Sequence, residues 1–208
     1  MSEYKRDLME LTEWDVRLMA WHEAGHAVCC YFMPESEMIE SVSIEPGNDA
    51  FGSMRTVPRK KRNLTYISCL GEIAIAMSGR LSELIFQKEI TSSCIHDLEK
   101  IQAIAIRMVC EYGMGKRTGL IAWTNHAADS SDLMLFSEKQ RNDIYEDVRK
   151  ILNDAEEFAR KILEDYRQEV GKVAEALLTR KTLSFDDLYS ILGPAGKKEN
   201  GITGQGHP

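Results

Sequence analysis

Apolar residues at Ile144, Val148, Ile151, Ala155, Phe158, Ile162 and Tyr166 recur at spacings of three and four, with glutamates and lysines on the opposite face. That period predicts an amphipathic helix with one buried stripe. Ser137 followed by Gln140 supplies a capping box to open it. A second helical pattern runs from Leu64 to Phe86 through Ile67, Leu70, Ile73, Ala74, Met77, Leu81, Leu84 and Ile85. Gly79 inside it marks a bend or a close approach. A third helix is predicted from Ile95 to Tyr112, with TSSC as its cap, Leu98, Ile101, Ala105, Met108 and Tyr112 as its buried stripe, and Gly113 as its stop. Nearer the start, Thr12 and Asp15 form a weak capping box for a helix that begins at Glu13, runs to Met33 and stops at Pro34.

Between the first two helices the period changes. In IESVSIEPGNDAFGSMRTVP, Val42 and Ile44 alternate with serines, PGND is a turn signal, and Gly52 to Val57 reads as a second strand. GLIAW, from Gly119, reads as a short strand or a buried loop. A short helix follows Ser184 and is closed by Gly193 and Pro194. The remaining tail has almost nothing to bury and is expected to be disordered. The sum is a mainly α domain over 12–193 with a small β element, between an N-terminal tail (1–11) and a C-terminal tail (194–208), without internal repeats.

A chain of 208 residues can bury a sizeable core. The net charge of −7 argues against general nucleic-acid binding, which needs a basic face. No apolar run approaches the ~18 residues of a membrane helix, and the longest candidate, ISCLGEIAIAM, is interrupted by Glu72. The charged N-terminus MSEYKRDLMELTEW has no signal-peptide core. Five cysteines without regular spacing, two of them adjacent at Cys29 and Cys30, read as reduced thiols of a cytoplasmic protein.

The first helix carries MAWHEAGHAVCCYF, Met19 to Phe32. Four residues make about one helical turn, so His22 and His26 point the same way and both imidazoles can reach one ion. Zinc accepts neutral imidazole, wants a third protein ligand, and in catalytic sites keeps one position for water, whose pKa it lowers towards ~7. Glu23, one position round the helix, can take a proton from such a water while ligating nothing. Ala24 and Gly25 are small enough to let another element or a substrate come close. The plainer alternative is one helix that happens to carry these three residues. Glu72, Glu83, His96 and Asp97 all lie in later helices as candidates for the third ligand, and spacing does not choose among them. Each also has an ordinary role, such as Glu83 as a surface or supporting carboxylate and Asp97 as a favourable charge near a helix N-terminus.

From about Trp21 to Gly193 the chain resembles the peptidase domain of the FtsH family of ATP-dependent zinc proteases. The family's HEAGHA is present unchanged, and its strand VSI-P is matched by VSIEP. Its GR--E is matched by Gly79, Arg80 and Glu83, and the block ending in ND aligns with ITSSCIHD. RMVCEYGM (Arg107 to Met114), the Gly-Leu of TGL and LFSEKQRNDIYEDVRKIL continue the match in order. The resemblance implies an FtsH-like zinc peptidase fold with its HExxH motif on the active-site helix, and one Zn2+ per chain. It makes His22, His26 and Asp97 the metal ligands and Glu23 the general base. It also implies a substrate strand at Gly52, Ser53, Met54, Arg55, Thr56 and Val57, which an extended peptide joins by β-augmentation.

Departures from the family pattern stand at Ser78 and Ser93, where the family has glycine, and at His96 in place of Asn, which makes His96 a competing ligand. After the substrate strand the family tends to be acidic, whereas this chain has Arg59, Lys60, Lys61 and Arg62. That run is expected to be a solvated loop, or else to draw acidic substrates or an acidic partner. No Gly-x-x-x-x-Gly-Lys-Ser/Thr loop occurs, since GMGKRTG lacks both its first glycine and its Ser/Thr. The expectation is therefore a zinc endopeptidase acting on peptides or unfolded polypeptides, without an ATPase module or membrane segment of its own. It works alone, as a homo-oligomer, or with a separate AAA-type ATPase. The alternative is a non-catalytic peptide-binding or regulatory subunit that acts with such an ATPase.

Overall fold

The computed structural model describes residues 11–34, 36–45, 52–58, 63–121 and 136–194. Helix α1 (Glu13–Phe32) opens on the predicted Thr12–Asp15 box, in which each residue's side chain bonds the other's backbone. From Leu18 to Cys30 it is buried on nearly every side, with Trp21 the less buried position. Small and apolar residues all round are the mark of a central helix. The other elements are arranged about α1.

Strand β1 (Met38–Ser43) pairs antiparallel with β2 (Ser53–Val57), with Val42 opposite Met54. Helix α2 (Tyr66–Ser82) is capped by a Thr65–Ser68 box and runs into a π-helical turn, Glu83–Gln87. A 3-10 turn (Ser92–Cys94) leads into α3 (Ile95–Cys110), which is followed by Gly113 at φ 63°. Helix α4 (Glu138–Asp165) opens on the predicted Ser137–Gln140 box. Helix α5 (Arg167–Arg180), strand β3 (Thr182–Ser184) and helix α6 (Phe185–Leu192) complete the described fold. Strand β3 pairs with β1, so the sheet order is β2-β1-β3 and β2 is an edge strand. The architecture is mainly α with one small sheet, as the periodicities predict.

Several expectations change. Leu98, assigned to the buried stripe of α3, is 46% exposed, while Ile101, Ala105 and Met108 are buried as predicted. The described part of GLIAW is an exposed loop, with Leu120 at 95% and Ile121 at 52% exposure, and Ala122 and Trp123 lie outside the described residues. The loop is instead anchored just upstream. Buried Asp147 of α4 accepts the backbone N–H groups of Arg117 and Thr118 and the Thr118 hydroxyl. GMGKRTG thus wraps a carboxylate of its own chain. Apolar spacing continues past Tyr166, but that residue leaves helical geometry (φ −113°, ψ 33°), and α5 begins as a separate helix burying Val170, Val173, Ala174 and Leu177. The PGND turn, the basic run Arg59–Arg62, and residues 1–10 and 195–208 of the two tails lie outside the described residues.

Helices α1 and α2 pack closely against each other at Gly25. A Cβ added to Gly25 would fall 2.5 Å from the Ser78 carbonyl oxygen and 2.6 Å from the Ser82 Cβ. The obstacles are backbone and a short side chain, which cannot swing away. Gly25→Ala is therefore expected to push the helices apart and to lower stability by about 1–3 kcal/mol. A thermal melt of the variant beside wild type reads this, and an unchanged midpoint would mean that the helices separate freely.

Candidate metal centre

Helix α1 stacks His22 and His26 one turn apart, with their Nε2 atoms 3.0 Å from each other. Asp97, in the first turn of α3, brings Oδ2 to 3.2 Å from both Nε2 atoms. The outer ring nitrogens are committed elsewhere. His26 Nδ1 lies 2.8 Å from the Ile75 carbonyl oxygen, which can only accept, so Nδ1 carries the proton. His22 Nδ1 lies 2.6 Å from Glu83 Oε1. With both protons held on Nδ1, two imidazole lone pairs and a carboxylate oxygen face one point. Three acceptors this close repel one another unless positive charge lies among them, and two nitrogens with one oxygen is the donor set of a catalytic zinc site.

The pKa shifts of His22 and Asp97 both favour the charged form. Burial pushes the His22 pKa down, but hydrogen bonds to Asp97 and Glu83 and the charges of Glu23 and Asp97 outweigh it and raise it to about 10. Burial pushes Asp97 up, yet hydrogen bonds to His22 and His26 hold its carboxyl well below the usual range. Both shifts follow from the carboxylates gathered around the two histidines.

Beside the three ligand-type atoms lies Glu23. Its side chain is buried, and Oε2 has no hydrogen-bond partner among the described residues. Burial raises its pKa, partly opposed by the nearby histidines. Its other oxygen faces the entry to β2, where a Cβ on Gly52 would fall 2.5 Å from Oε1. Gly79 of α2 comes equally close to the imidazoles. A Cβ there would lie 2.5 Å from His26 Nε2 and 2.6 Å from His22 Nε2. The glycine predicted as a bend or close approach is a close approach.

The family model that matches this chain is that of peptidase family M41, over residues 9–191. The chain belongs to peptidase family M41. An ATP-dependent zinc metalloprotease FtsH from Pseudothermotoga lettingae is 30% identical over 85% of this chain and 29% of its own length. Another FtsH, from Thermotoga maritima, is 31% identical over 88% of the chain and 31% of its own length. The mitochondrial inner membrane m-AAA protease component yta12 of Schizosaccharomyces pombe is 32% identical over 85% of the chain and 23% of its own length. The chain thus spans about a quarter to a third of the curated relatives it matches. Among its described residues no helix is long and apolar enough to cross a membrane.

Of the third-ligand candidates left open by spacing in this M41 chain, Asp97 is the one that reaches both Nε2 atoms of the histidine pair. The side chain of His96 is 69% exposed and pairs with Glu99, so it points away from the centre. Glu72 is exposed on α2. Glu83 is 0% exposed and supports the centre from behind. One oxygen meets His22 and the Ser93 hydroxyl (2.7 Å), and the other accepts the backbone N–H and hydroxyl of Thr91, both at 3.1 Å. Thr91 and Ser93 belong to the segment that delivers Asp97, so one carboxylate orients a histidine and braces the approach to the aspartate. Along β2, Met54 and Thr56 are half-buried, whereas Ser53, Arg55 and Val57 are exposed.

The roles of Thr91, Ser93 and the Ile75 carbonyl escape a sequence reading. The one available signal is that Ser93 replaces a glycine of the resembled family, which adds a hydroxyl to the Glu83 carboxylate. Carboxylates behind ligating histidines are worth about 10- to 100-fold in metal affinity. Glu83→Gln should weaken zinc binding by about that factor in a chelator competition while the helical circular dichroism is kept. Full affinity in this variant would show that Glu83 only fills space.

Proposed function

We propose that this chain is a zinc-dependent endopeptidase that hydrolyses peptide bonds of peptides or unfolded polypeptides. The observation that carries this reading is the convergence of His22, His26 and Asp97 on one point, beside a buried carboxylate, Glu23, with an oxygen left unpartnered. His22, His26 and Asp97 would hold the ion, one per chain. Zinc, when bound, supplies Lewis acidity towards a carbonyl and a lowered pKa for water. Glu23 takes the proton of the attacking water and hands it to the leaving amine. Glu83 and the Ile75 carbonyl keep both imidazoles in the tautomer whose Nε2 lone pairs face inward. Strand β2 lies at the sheet edge, so an extended peptide joins it through Gly52–Val57 and passes Glu23 at Gly52.

The two FtsH relatives named above are called ATP-dependent, and we extend that to this chain. It works with an AAA-type ATPase module, which feeds it unfolded polypeptide. Cys29, Cys30, Cys69, Cys94 and Cys110 are all unbridged, which supports a reducing, cytoplasmic setting. A short fluorogenic peptide and a tightly folded protein, each offered to the zinc-loaded chain alone, test the division of labour. The peptide should be cut and the folded protein spared. Equal cutting of both would remove the need for an ATPase.

Asp97→Ala should lower zinc content far more than His96→Ala, as read by elemental analysis after dialysis. Loss of zinc in His96→Ala alone would transfer the third position to His96. Glu23→Gln should keep zinc and fold while casein hydrolysis drops by a factor on the order of 10²–10⁴. Zinc-loaded wild type that cuts no unfolded substrate would instead favour the peptide-binding module.

The base works only when deprotonated, and burial holds its carboxyl above the ordinary glutamate value of about 4.3. The rate should therefore fall as pH drops, with an acid limb centred above that value. A kcat/KM profile flat down to pH about 4 would take Glu23 out of the proton transfer.

A further inference from the structure

Each histidine of the candidate centre leans on one oxygen, and each of those oxygens takes a further hydrogen bond from a serine. Behind His26, the Ile75 carbonyl accepts Nδ1–H at 2.8 Å and the Ser78 hydroxyl at 2.6 Å. Behind His22, Glu83 Oε1 lies 2.6 Å from Nδ1 and accepts the Ser93 hydroxyl at 2.7 Å. The two hydroxyls come from separate elements, α2 and the 3-10 turn before α3, and no step of the proposed hydrolysis involves either. They also stand at the two positions where serine replaces a glycine of the resembled family. A helical serine commonly turns back on a carbonyl three or four residues earlier. Here that carbonyl is the one that fixes a histidine of the centre. The same arrangement recurs at the other histidine, where the serine reaches a side chain ten residues away.

Neither hydroxyl is needed to place its acceptor. The Ile75 carbonyl lies in the interior of α2 and is carried by the helix. Glu83 is already held by His22 and, at its other oxygen, by the backbone N–H and hydroxyl of Thr91. What the hydroxyls change is electron density. An acceptor behind a ligating imidazole draws on the Nδ1 proton and so makes Nε2 a better donor to a metal. A hydroxyl that donates to the same oxygen takes up part of its capacity, and the pull on Nδ1–H falls. Each serine has one hydrogen to give. That of Ser78 goes to the Ile75 carbonyl, since the adjoining Cys29 thiol is a far weaker acceptor. That of Ser93 has Glu83 Oε1 and Thr91 Oγ1 in reach, at 2.7 and 2.8 Å, and the charged oxygen is the stronger acceptor. Ser78 is 0% exposed, so its hydroxyl is sealed from solvent, whereas at exposed Ser93 a water can take the hydroxyl's place in part.

We propose that Ser78 and Ser93 are positioning residues that act through the Ile75 carbonyl and Glu83. They hold His26 and His22 to a moderate donor strength, so the ion is bound less tightly, and keeps more of its positive charge, than in the same site without them. The assignment rests on the zinc-dependent reading above, and its test separates the two. Chelator competition for zinc compares the full wild-type chain with Ser78→Ala, Ser93→Ala, the double variant and Ser93→Thr, which keeps the hydroxyl. Ser78→Ala should tighten zinc binding by about three- to tenfold, a share of the 10- to 100-fold that such acceptors are worth. Ser93→Ala should tighten it by about two- to threefold, because water partly replaces the hydroxyl. The double variant should exceed either, and Ser93→Thr should match wild type. General damage to the fold would loosen zinc, so the sign tells tuning from disruption. If Ser78→Ala fails to fold, Ser78→Cys, which keeps the volume and donates only weakly, takes its place with the same sign expected. Proton–nitrogen correlation spectra of the zinc-loaded chain give a second readout. The His26 Nδ1–H resonance should move downfield in Ser78→Ala and that of His22 in Ser93→Ala, each with the other histidine unmoved. Unchanged or weaker zinc binding in the Ser78 variant, or resonances that do not follow this pairing, overturns the proposal and leaves the metal centre standing. Wild type that binds no zinc overturns the zinc-dependent reading, and this proposal with it.

Discussion

The closeness of α1 to α2 is the constraint on which the rest of this structure depends. Gly25 lets the two helices touch at backbone distance, and Gly79 lets α2 lie against the two imidazole Nε2 atoms. At a more ordinary separation the Ile75 carbonyl would not reach His26 Nδ1, and Glu83 would not reach His22 Nδ1. Both protons would then be free to move, and the inward-facing lone pairs would be lost. Side-chain volume, in the form of two missing Cβ atoms, thereby controls an electrostatic outcome.

That outcome is a concentration of negative and lone-pair character in a buried place. Glu23, Glu83 and Asp97 surround two histidines, and desolvation alone makes such a cluster expensive. The fold meets the cost unevenly. Glu83 is saturated by His22, Thr91 and Ser93, and hydrogen bonding overcomes burial to keep it below the usual carboxylate range. Glu23 is left with an unpartnered oxygen, and burial holds its pKa up. The pKa values of these two glutamates are thus driven in opposite directions, Glu83 down and Glu23 up. The π-helical turn that begins at Glu83 and the 3-10 turn before α3 bring Thr91 and Ser93 over the support.

Some of this is legible along the chain because it is local. The boxes at Thr12 and Ser137, the amphipathic stripe of α4 and the one-turn spacing of His22 and His26 each depend on residues within a few positions of one another. Helix-length burial is less legible. Leu98 has the spacing of a core residue, but it is left exposed where α3 begins, and Leu120 and Ile121 are exposed despite their composition. The break at Tyr166 is invisible to periodicity, since apolar spacing continues across it into α5.

By itself the sequence determined which residues could ligate, that two of them share a helix face, and that a carboxylate stands beside them. Family resemblance singled out Asp97, but among Glu72, Glu83, His96 and Asp97 no spacing rule could choose. In space it is Asp97, 75 residues beyond His22, that lies against both Nε2 atoms, because of the direction in which α3 starts. Adjacent positions on a helix point about 100° apart. His96 therefore turns towards Glu99 and solvent while Asp97 turns inward. The separation of Glu23 from Glu83, one poised and one saturated, is likewise tertiary, because a carboxylate's pKa depends on its burial and on partners that the linear chain keeps far apart.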